Sequence, residues 1–359
     1  MRQVRFLPLL LILYYSQSII AQNPQFEIVK VADGVFAAIR KEPPGLTVNA
    51  NSVFIINDDD VVVVDTTLTP SSAQECITAL RRLTNKPVKY VINTHWHDDH
   101  IMGNQTYREE FPGVEFIAHK NTREYLPTTG LTNRKRAMSE GGYPAFINAL
   151  KDRLQKNVSV FGGSMSDEER STYTSDIGIA ERYMTEDPAV EIVLPAISVD
   201  DRMTLKCGNR VIEILYLGRG HTSGDIVVHL PKEHVVVVGD LVMWPVPYVG
   251  SPQSHPADWS KTLDKLLTLN ATTVIPGHGP VLKDNSYIKL MSQLFHSIAT
   301  QVAQAVAHKD SLEKTRASIK LDEFEKTFAG ESRIRKLIFR NYVAGPAVEA
   351  AFLDAIAQP

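Results

Sequence analysis

The chain has 359 residues, of which 43% are hydrophobic and 22% are charged, a composition typical of a globular protein with a sizeable core. Its formal net charge is −3 and no long basic run occurs, so nucleic acid is not an expected partner. The two cysteines, Cys76 and Cys207, are too few to frame a fold with disulfides. We expect both of them to be buried free thiols.

The first 21 residues have the layout of a secretory signal peptide. Arg2 and Arg5 precede an apolar run from Phe6 to Tyr15, after which small and polar residues follow. An uncleaved anchor is disfavoured because the run is too short to cross about 30 Å of hydrocarbon. The sequence therefore predicts cleavage after Ala21 or Ser18, a secreted or periplasmic protein, and no stable membrane span after cleavage.

Runs of β-branched and aromatic residues then predict strands at Gly34–Ile39, Ser52–Ile56, Val61–Val64 and around Val88–Ile92. Between the last two strands, an amphipathic helix opens at Pro70-Ser71-Ser72 with a serine cap and ends near Leu83. Strands separated by helices predict a layered α/β domain.

The densest cluster of potential metal ligands in the chain follows the strand that ends at Ile92. The sequence His-Trp-His-Asp-Asp-His places four potential metal ligands, His95, His97, Asp99 and His100, within six positions. Alternate side chains of an extended backbone share a face, so the first two histidines should point the same way. If the chain then bends into a helix, the other two ligands can reach a second point a few ångströms away. Imidazole and carboxylate ligands suit a borderline metal such as zinc, whereas the alternative is a polar loop merely rich in histidine.

Three further candidates, His221, Asp240 and His278, each close a predicted strand in the second half of the chain. The strands in question are Val211–Leu217, Val235–Val238 and Thr272–Ile275. Both histidines lie between or beside glycines, whose backbone freedom lets a side chain project inward.

This ordered set of motifs resembles the metallo-β-lactamase-fold hydrolases. The form His-x-His-x-Asp-His is followed by Gly-His-Thr-Ser-Gly-Asp, Gly-Asp and Pro-Gly-His-Gly, and together they span Asn51 to about Leu282. The resemblance implies an αββα sandwich over residues 22–284, with a mostly helical insertion at about 121–195 and a helical C-terminal extension at 285–359. The insertion is either a packing element or a lid over the site, and the sequence leaves both open.

The resemblance also implies a centre for two Zn²⁺ ions, with other divalent metals such as Fe or Mn as alternatives. One ion would be held by His95, His97 and His221, and the other by Asp99, His100 and His278, with Asp240 bridging them. Asp65, at the end of a strand, would orient a ligand histidine from behind, whereas its alternative role is that of a turn or cap residue.

Such a centre implies a hydrolase that acts on a small-molecule substrate, and the signal peptide implies that this hydrolase is exported. Two cations can share a hydroxide and hold it against the carbonyl of an ester, thioester, lactone or amide, while Asp99 and Asp240 orient this nucleophile. Two other classes are a mononuclear iron oxidoreductase resembling persulfide dioxygenases and a non-catalytic metal-binding protein. The complete ligand set argues against both, and the oligomeric state is left open.

Residues around the centre indicate which branch of the family the chain resembles, the thioesterases and lactonases or the β-lactamases. Asp240 resembles the thioesterases and lactonases, because the β-lactamases of this fold typically place Cys or Ser there. Met243 stands where those β-lactamases carry a lysine for the carboxylate of the drug, unless Arg219 or Lys283 serves instead. The flanks of His221 nevertheless resemble the secreted lactamases, so β-lactam hydrolysis stays open.

The loop from Leu241 to His255 carries Trp244 and Tyr248, which could line a pocket for an apolar acyl or ring substrate. A proline-stiffened loop that packs on itself is the alternative. His296 and His308 lie in predicted helices and are assigned no role.

Overall fold

The computed structural model describes residues 25–250 and 253–357. The predicted signal peptide, residues 1–21, lies outside this part of the chain. None of the described helices combines the length and the apolarity that a membrane span requires.

A seven-stranded sheet is built by the first half of the chain, with its strands side by side in chain order. Its strands are β1 (Phe26–Ala32), β2 (Val35–Arg40), β3 (Ser52–Ile56), β4 (Val61–Val64), β5 (Val88–Ile92), β6 (Glu115–His119) and β7 (Ile197–Val199). Pairing is antiparallel from β1 to β4 and parallel from β4 to β7. The parallel pair β4–β5 therefore delivers the residues after both strands to the same edge of the sheet, where ligand sites of α/β folds gather.

A second sheet of five strands has the order β12-β11-β10-β9-β8. Its strands are β8 (Arg202–Cys207), β9 (Arg210–Tyr216), β10 (Ile226–Leu230), β11 (Val235–Met243) and β12 (Thr273–His278). The strands β11 and β12 are parallel, and the other neighbours are antiparallel. Asp240 and His278 consequently approach the same edge.

The prediction that Asp240 ends its strand is wrong, because β11 continues to Met243. Its register against β12 shifts on both sides of Gly239, and the ladder resumes where Met243 pairs with His278. Gly239 has a φ of 51°, and a Cβ at this position would lie 2.4 Å from the hydroxyl of Thr94. Only glycine tolerates this bulge, and a bulge of this kind re-aims the side chain beside it.

Thirteen α-helices of the described residues cover the sheets. They are α1 (Pro70–Leu83), α2 (Asp98–Ile101), α3 (Asn104–Glu110), α4 (Lys120–Tyr125), α5 (Leu131–Met138), α6 (Tyr143–Lys156), α7 (Asp167–Glu186), α8 (Pro256–Leu267), α9 (Ser286–Ala307), α10 (Leu312–Ser318), α11 (Asp322–Ala329), α12 (Arg333–Ile338) and α13 (Gly345–Ala357). Two π-helical turns, Leu126–Gly130 and Phe339–Ala344, and a 3₁₀ turn, Asp187–Ala189, join some of them.

The cap of α1 differs from the prediction. Thr69, not a serine, is the capping residue, and its side-chain oxygen accepts a hydrogen bond from the backbone N–H of Ser72 at 3.2 Å. Pro70 fills the first helical position, so the cap has to precede it.

The sheets pack face to face, and their core explains the consecutive valines of the sequence. Val62 and Val64 point into the apolar layer between the sheets, whereas Val61 and Val63 point to the outer layer that α1 and α3 cover. A strand buried on both faces reads as a continuous apolar run. On the other side, α8 and α9 pack together, with the rings of Trp259 and Phe295 stacked 4.3 Å apart.

Two sheets between helical layers confirm the predicted α/β sandwich, and the helices α9 to α13 confirm the helical C-terminal extension. Both cysteines are free and buried, also as predicted.

Candidate metal centre

All seven predicted ligands lie together at the edge where the two sheets expose their strand ends. His95 and His97 are contributed by the extended segment after β5, and Asp99 and His100 by α2, which begins directly after His97. The other three come from the turn after β9, from β11 and from the end of β12; they are His221, Asp240 and His278. The switch from strand to helix inside the first motif thus separates its ligands into two pairs.

The first group consists of three imidazoles and one carboxylate oxygen. Nδ1 of His97 lies 3.0 Å from Nε2 of His95 and 2.9 Å from Nε2 of His221. Oδ2 of Asp240 lies 3.8 Å and 3.4 Å from these two Nε2 atoms, respectively. Three ring nitrogens converging on one carboxylate oxygen form a donor set that suits a borderline divalent cation.

The second group consists of Asp99, His100 and His278. Oδ2 of Asp99 lies 3.1 Å from Nε2 of His278 and 3.5 Å from Nε2 of His100. Oδ1 of Asp240 lies 3.3 Å and 3.2 Å from the same two nitrogens. Asp240 therefore presents one carboxylate oxygen to each group, which is the geometry that a bridging ligand needs.

Buried polar atoms without a hydrogen-bond partner test whether cations fit. Among the described residues, four such atoms lie around the second group: Oδ2 of Asp99, Nε2 of His100 and Nε2 of His278, and the facing Oδ1 of Asp240. Buried polar groups are almost always satisfied, and these four atoms face one another. A cation held among them satisfies all four, so the residues present fit a metal.

The two groups differ in their charge. Burial and the neighbouring His100 lower the pKa of His95 well below its ordinary value, and burial with His221 lowers the pKa of His97 to about 3. In the second group burial also acts to lower the pKa of His278, but Asp240 and Asp99 outweigh it and raise the pKa to about 9. The pKa of His100 is raised well above its ordinary value in the same way. Without a cation, the first group therefore presents neutral imidazoles and the second holds protons.

Asp65 lies behind His100, in the position from which it can orient a ligand. Its Oδ2 is 2.7 Å from Nδ1 of His100, and its two oxygens also accept hydrogen bonds from the backbone N–H and the hydroxyl of Thr94. A carboxylate on Nδ1 places the proton there and leaves Nε2 free to face the centre. The backbone of Asp65 has a φ of 58°, a left-handed conformation that is uncommon for residues other than glycine.

We expect Asp65→Asn to lower hydrolytic activity by about 10–100-fold, the usual cost of losing a group that orients a metal ligand. An amide cannot satisfy His100 and both donors of Thr94 together, so the imidazole should lose its fixed tautomer. Metal content and turnover of the purified variant measure the effect, with Asp58→Asn on the exposed turn before β4 as the control. Parental turnover with full metal content would show that Asp65 only shapes the turn.

The sequence did not indicate two of the groups that hold the ligands in place. The hydroxyl of Thr94 lies 3.1 Å from Nδ1 of His95, and Nδ1 of His221 donates a hydrogen bond to the backbone carbonyl of Tyr248 at 3.0 Å. A threonine before a histidine motif carries no particular signal. A backbone carbonyl can come from any residue, so only the folded chain reveals its role.

A cavity of about 320 Å³ opens beside the second group and includes His278 in its wall. Trp244 and Tyr248, the residues expected to line a substrate pocket, both line it, together with residues 43–45 and 47–49. The ring of Tyr248 also packs against Tyr342 of the C-terminal extension, with 5.2 Å between the ring centres.

A second cavity of about 490 Å³ opens beside the first group and includes His97 in its wall. The helical insertion supplies Tyr143, Phe146 and Arg136 to this cavity, so part of the insertion does lie over the site. Arg219 lines neither cavity and forms an ion pair with Asp258, with Nε 2.9 Å from Oδ2. Lys283 lines neither cavity, and Met243 is buried in β11.

Comparison with known proteins agrees with this geometry. The model of the metallo-beta-lactamase superfamily matches residues 46–278. A linear primary-alkylsulfatase from Pseudomonas sp. (strain ATCC 19151) is 23% identical over 226 residues, which cover 62% of this chain and 40% of that relative. A metallo-beta-lactamase type 2 from Bacillus sp. (strain 170) is 24% identical over 241 residues, covering 66% of this chain and 69% of the relative. The chain thus spans less than half the length of the alkylsulfatase.

Among solved structures, the metallo-beta-lactamase FIM-1 from Pseudomonas aeruginosa in its mono-zinc form matches with a TM-score of 0.51 and 18% sequence identity. The match covers 75% of this chain and 94% of that one, and at this identity it supports the fold alone. The family model covers more than half of the chain, from the loop before β3 to the histidine that ends β12. The chain belongs to the metallo-β-lactamase superfamily.

Proposed function

We propose that this protein is a hydrolase with a dinuclear metal centre, and that its metal is zinc. The observation that carries the proposal is the carboxylate of Asp240, which directs one oxygen to each of two groups of ligand atoms. The curated relatives include a sulfatase and a lactamase, whose names describe hydrolysis. A donor set of imidazole nitrogen and carboxylate oxygen atoms supports the choice of zinc.

Two divalent cations bound at this centre would supply Lewis acidity and an activated water at neutral pH. The chain's own residues set the conditions for that chemistry. Asp99 and Asp240 offset part of the positive charge and hold acceptor oxygens beside the position of the nucleophile. Four of the ligand histidines, His95, His100, His221 and His278, are buried, whereas His97 is half-buried in a cavity wall, so most of the centre is shielded from bulk water.

The cavities support a substrate with two arms. The ligand residue His278 lies in the wall of one cavity and His97 in the wall of the other, so the scissile bond fits between them. Aromatic side chains line each cavity and favour apolar acyl, alkyl or ring groups. We therefore retain an ester, thioester, lactone or amide carbonyl, including β-lactams, as the proposed target. A sulfate ester is the second candidate, on account of the relative named as a linear primary-alkylsulfatase.

A hydrolysis screen with the zinc-loaded protein tests the function. Lactones, thioesters, carboxylic esters, β-lactams, phosphoesters and primary alkyl sulfates are each offered at one pH, with and without a chelator. We expect turnover of at least one class that is lost on chelation and restored by zinc. Turnover that resists chelation, or none at all in a protein carrying two metals, contradicts the proposal.

We also propose that the protein is exported, and the arginine-flanked apolar run at the N-terminus supports this. We expect mass spectrometry of the secreted or periplasmic protein to show a new N-terminus at Gln22 or Ile19. Intact Met1 on protein from the cytosol of the native host would refute export.

A further inference from the structure

Residues 41–51 join β2 to β3, and the part from 43 to 49, here called the partition loop, separates the two cavities. Gly45 lines the cavity beside His278, and Leu46 lines the cavity beside His97. Thr47 lines both. The partition loop therefore faces whatever molecule extends from one cavity to the other across the metal centre.

Side chains from three distant parts of the chain hold this loop. Asp176 of α7 accepts hydrogen bonds from the backbone N–H groups of Leu46 and Thr47, at 3.1 Å and 3.0 Å. The hydroxyl of Tyr248 donates to the carbonyl of Gly45 at 2.7 Å, and the hydroxyl of Tyr342 donates to the carbonyl of Leu46 at 2.9 Å. The insertion, the loop after β11 and the C-terminal extension thus fix one loop together.

The fit between Asp176 and the loop is close. Asp176 is 1% exposed, and a Cβ on Gly45 would lie 2.2 Å from its Oδ1. Glycine at position 45 is therefore needed for this approach. Burial raises the pKa of Asp176 to about 7, against the hydrogen bonds from Thr47 and Leu46, which lower it.

The side-chain hydroxyl of Thr47 has no hydrogen-bond partner. The backbone N–H of Thr47 is held by Asp176, and the whole residue is 5% exposed. A buried hydroxyl without a partner is unfavourable in the free protein and gains a partner when an acceptor arrives. Thr47 lines both cavities, so a molecule that occupies them lies next to this residue.

We propose that the hydroxyl of Thr47 donates a hydrogen bond to the substrate, at the polar group that joins its two arms, and that Asp176 positions Thr47 for this contact. The proposal rests on the proposed function and deepens it. A carbonyl or ester oxygen only accepts hydrogen bonds, so the hydroxyl is the donor. For the acyl compounds of the proposed function, one arm lies against Trp244 and Tyr248 and the other against Tyr143 and Phe146.

The decisive variant is Thr47→Val, which removes the hydroxyl and nearly keeps the shape. We expect kcat/KM to fall by about tenfold on the substrates that the parent hydrolyses, the usual effect of one hydrogen bond to a substrate. Metal content should be unchanged, and Tm should be equal or higher, because an unpartnered buried hydroxyl is gone. A merely structural role for Thr47 would instead lower Tm. Thr47→Ser keeps the donor and should restore most of kcat/KM.

Thr67→Val is the matched control. The hydroxyl of Thr67 is also buried and without a partner, but Thr67 lines neither cavity. We expect parental kcat/KM from this variant.

Asp176→Asn tests the positioning role. Its neutral amide holds the two N–H groups of the loop less well, so kcat/KM should fall while metal content stays at the parental level. If Asp176 acts through Thr47, the double variant with Thr47→Val should lose little more than the worse single variant, because the effects of coupled residues are not additive.

The outcomes separate the two claims. An active parent whose kcat/KM is unaffected by Thr47→Val overturns this inference and leaves the proposed function standing. A metal-loaded parent that hydrolyses none of the substrate classes overturns the proposed function and this inference with it.

Discussion

Asp240→Asn is expected to remove most of the hydrolytic activity and to reduce the metal content from two ions per chain towards one. Oδ2 of Asp240 lies 3.4 Å from Nε2 of His221 in the first group, and Oδ1 lies 3.2 Å from Nε2 of His100 in the second. Asparagine keeps the shape but has only one oxygen, so it can serve one group at most. Its amide nitrogen is no ligand for the other cation, and the negative charge is lost as well.

The expected size of the Asp240→Asn effect can be estimated from the loss of groups that only orient a metal ligand. Groups that merely orient a ligand contribute about 10–100-fold to metal affinity or activity, so losing the shared ligand should cost at least that. The fold should persist, because the apolar layer between the sheets does not include this side chain. Metal analysis, turnover and Tm of the same preparation separate the effects. Asp187→Asn, a buried aspartate paired with Arg134, is the control for burial and charge.

A second large effect is expected in the pH dependence of metal uptake, which should differ between the two groups of ligands. In the metal-free protein, the pKa of His278 is about 9, so at neutral pH a cation entering the second group must displace a proton. The affinity therefore rises as the pH approaches the pKa of His278 and falls as the pH is lowered. Each displaced proton changes the affinity about tenfold per pH unit. His97, with a pKa of about 3, has no proton to displace at neutral pH.

Zinc titration with a competing chelator at about pH 6 and about pH 8 measures this difference, and we expect the second binding step to weaken at least about 100-fold at the lower pH. The first step should change far less, and proton release should accompany the second step. Equal losses from both steps, or a greater loss from the first, would contradict the charge difference between the groups.

The candidate metal centre was largely predictable because its ligands belong to short local patterns, most of them beside a strand end, with Asp240 inside β11 as the exception. His95 and His97 alternate in extended backbone, and His221 and His278 are flanked by glycine. What remained hidden depends on parts of the chain that are far apart in sequence. The bulge at Gly239 depends on the contact with Thr94, and no propensity scale contains it.

The partition loop illustrates the same limit. Its sequence indicates only a loop between two strands, while its conformation is set by Asp176, Tyr248 and Tyr342. Distant side chains form hydrogen bonds with backbone carbonyl and N–H groups of the loop. Nearly every residue has such backbone groups, so the sequence of the loop does not indicate these hydrogen bonds. The role of the helical insertion was open for this reason, and its contacts with the loop and the second cavity appear only in the folded chain.

The measurement that tests the central claim most directly is the metal content of the mature protein, purified without added metal. We expect close to two ions per chain, mostly zinc, and stepwise removal by chelation, with hydrolysis lost when the second group is emptied. A reproducible content of one iron ion per chain would contradict the dinuclear hydrolase and support the mononuclear oxidoreductase.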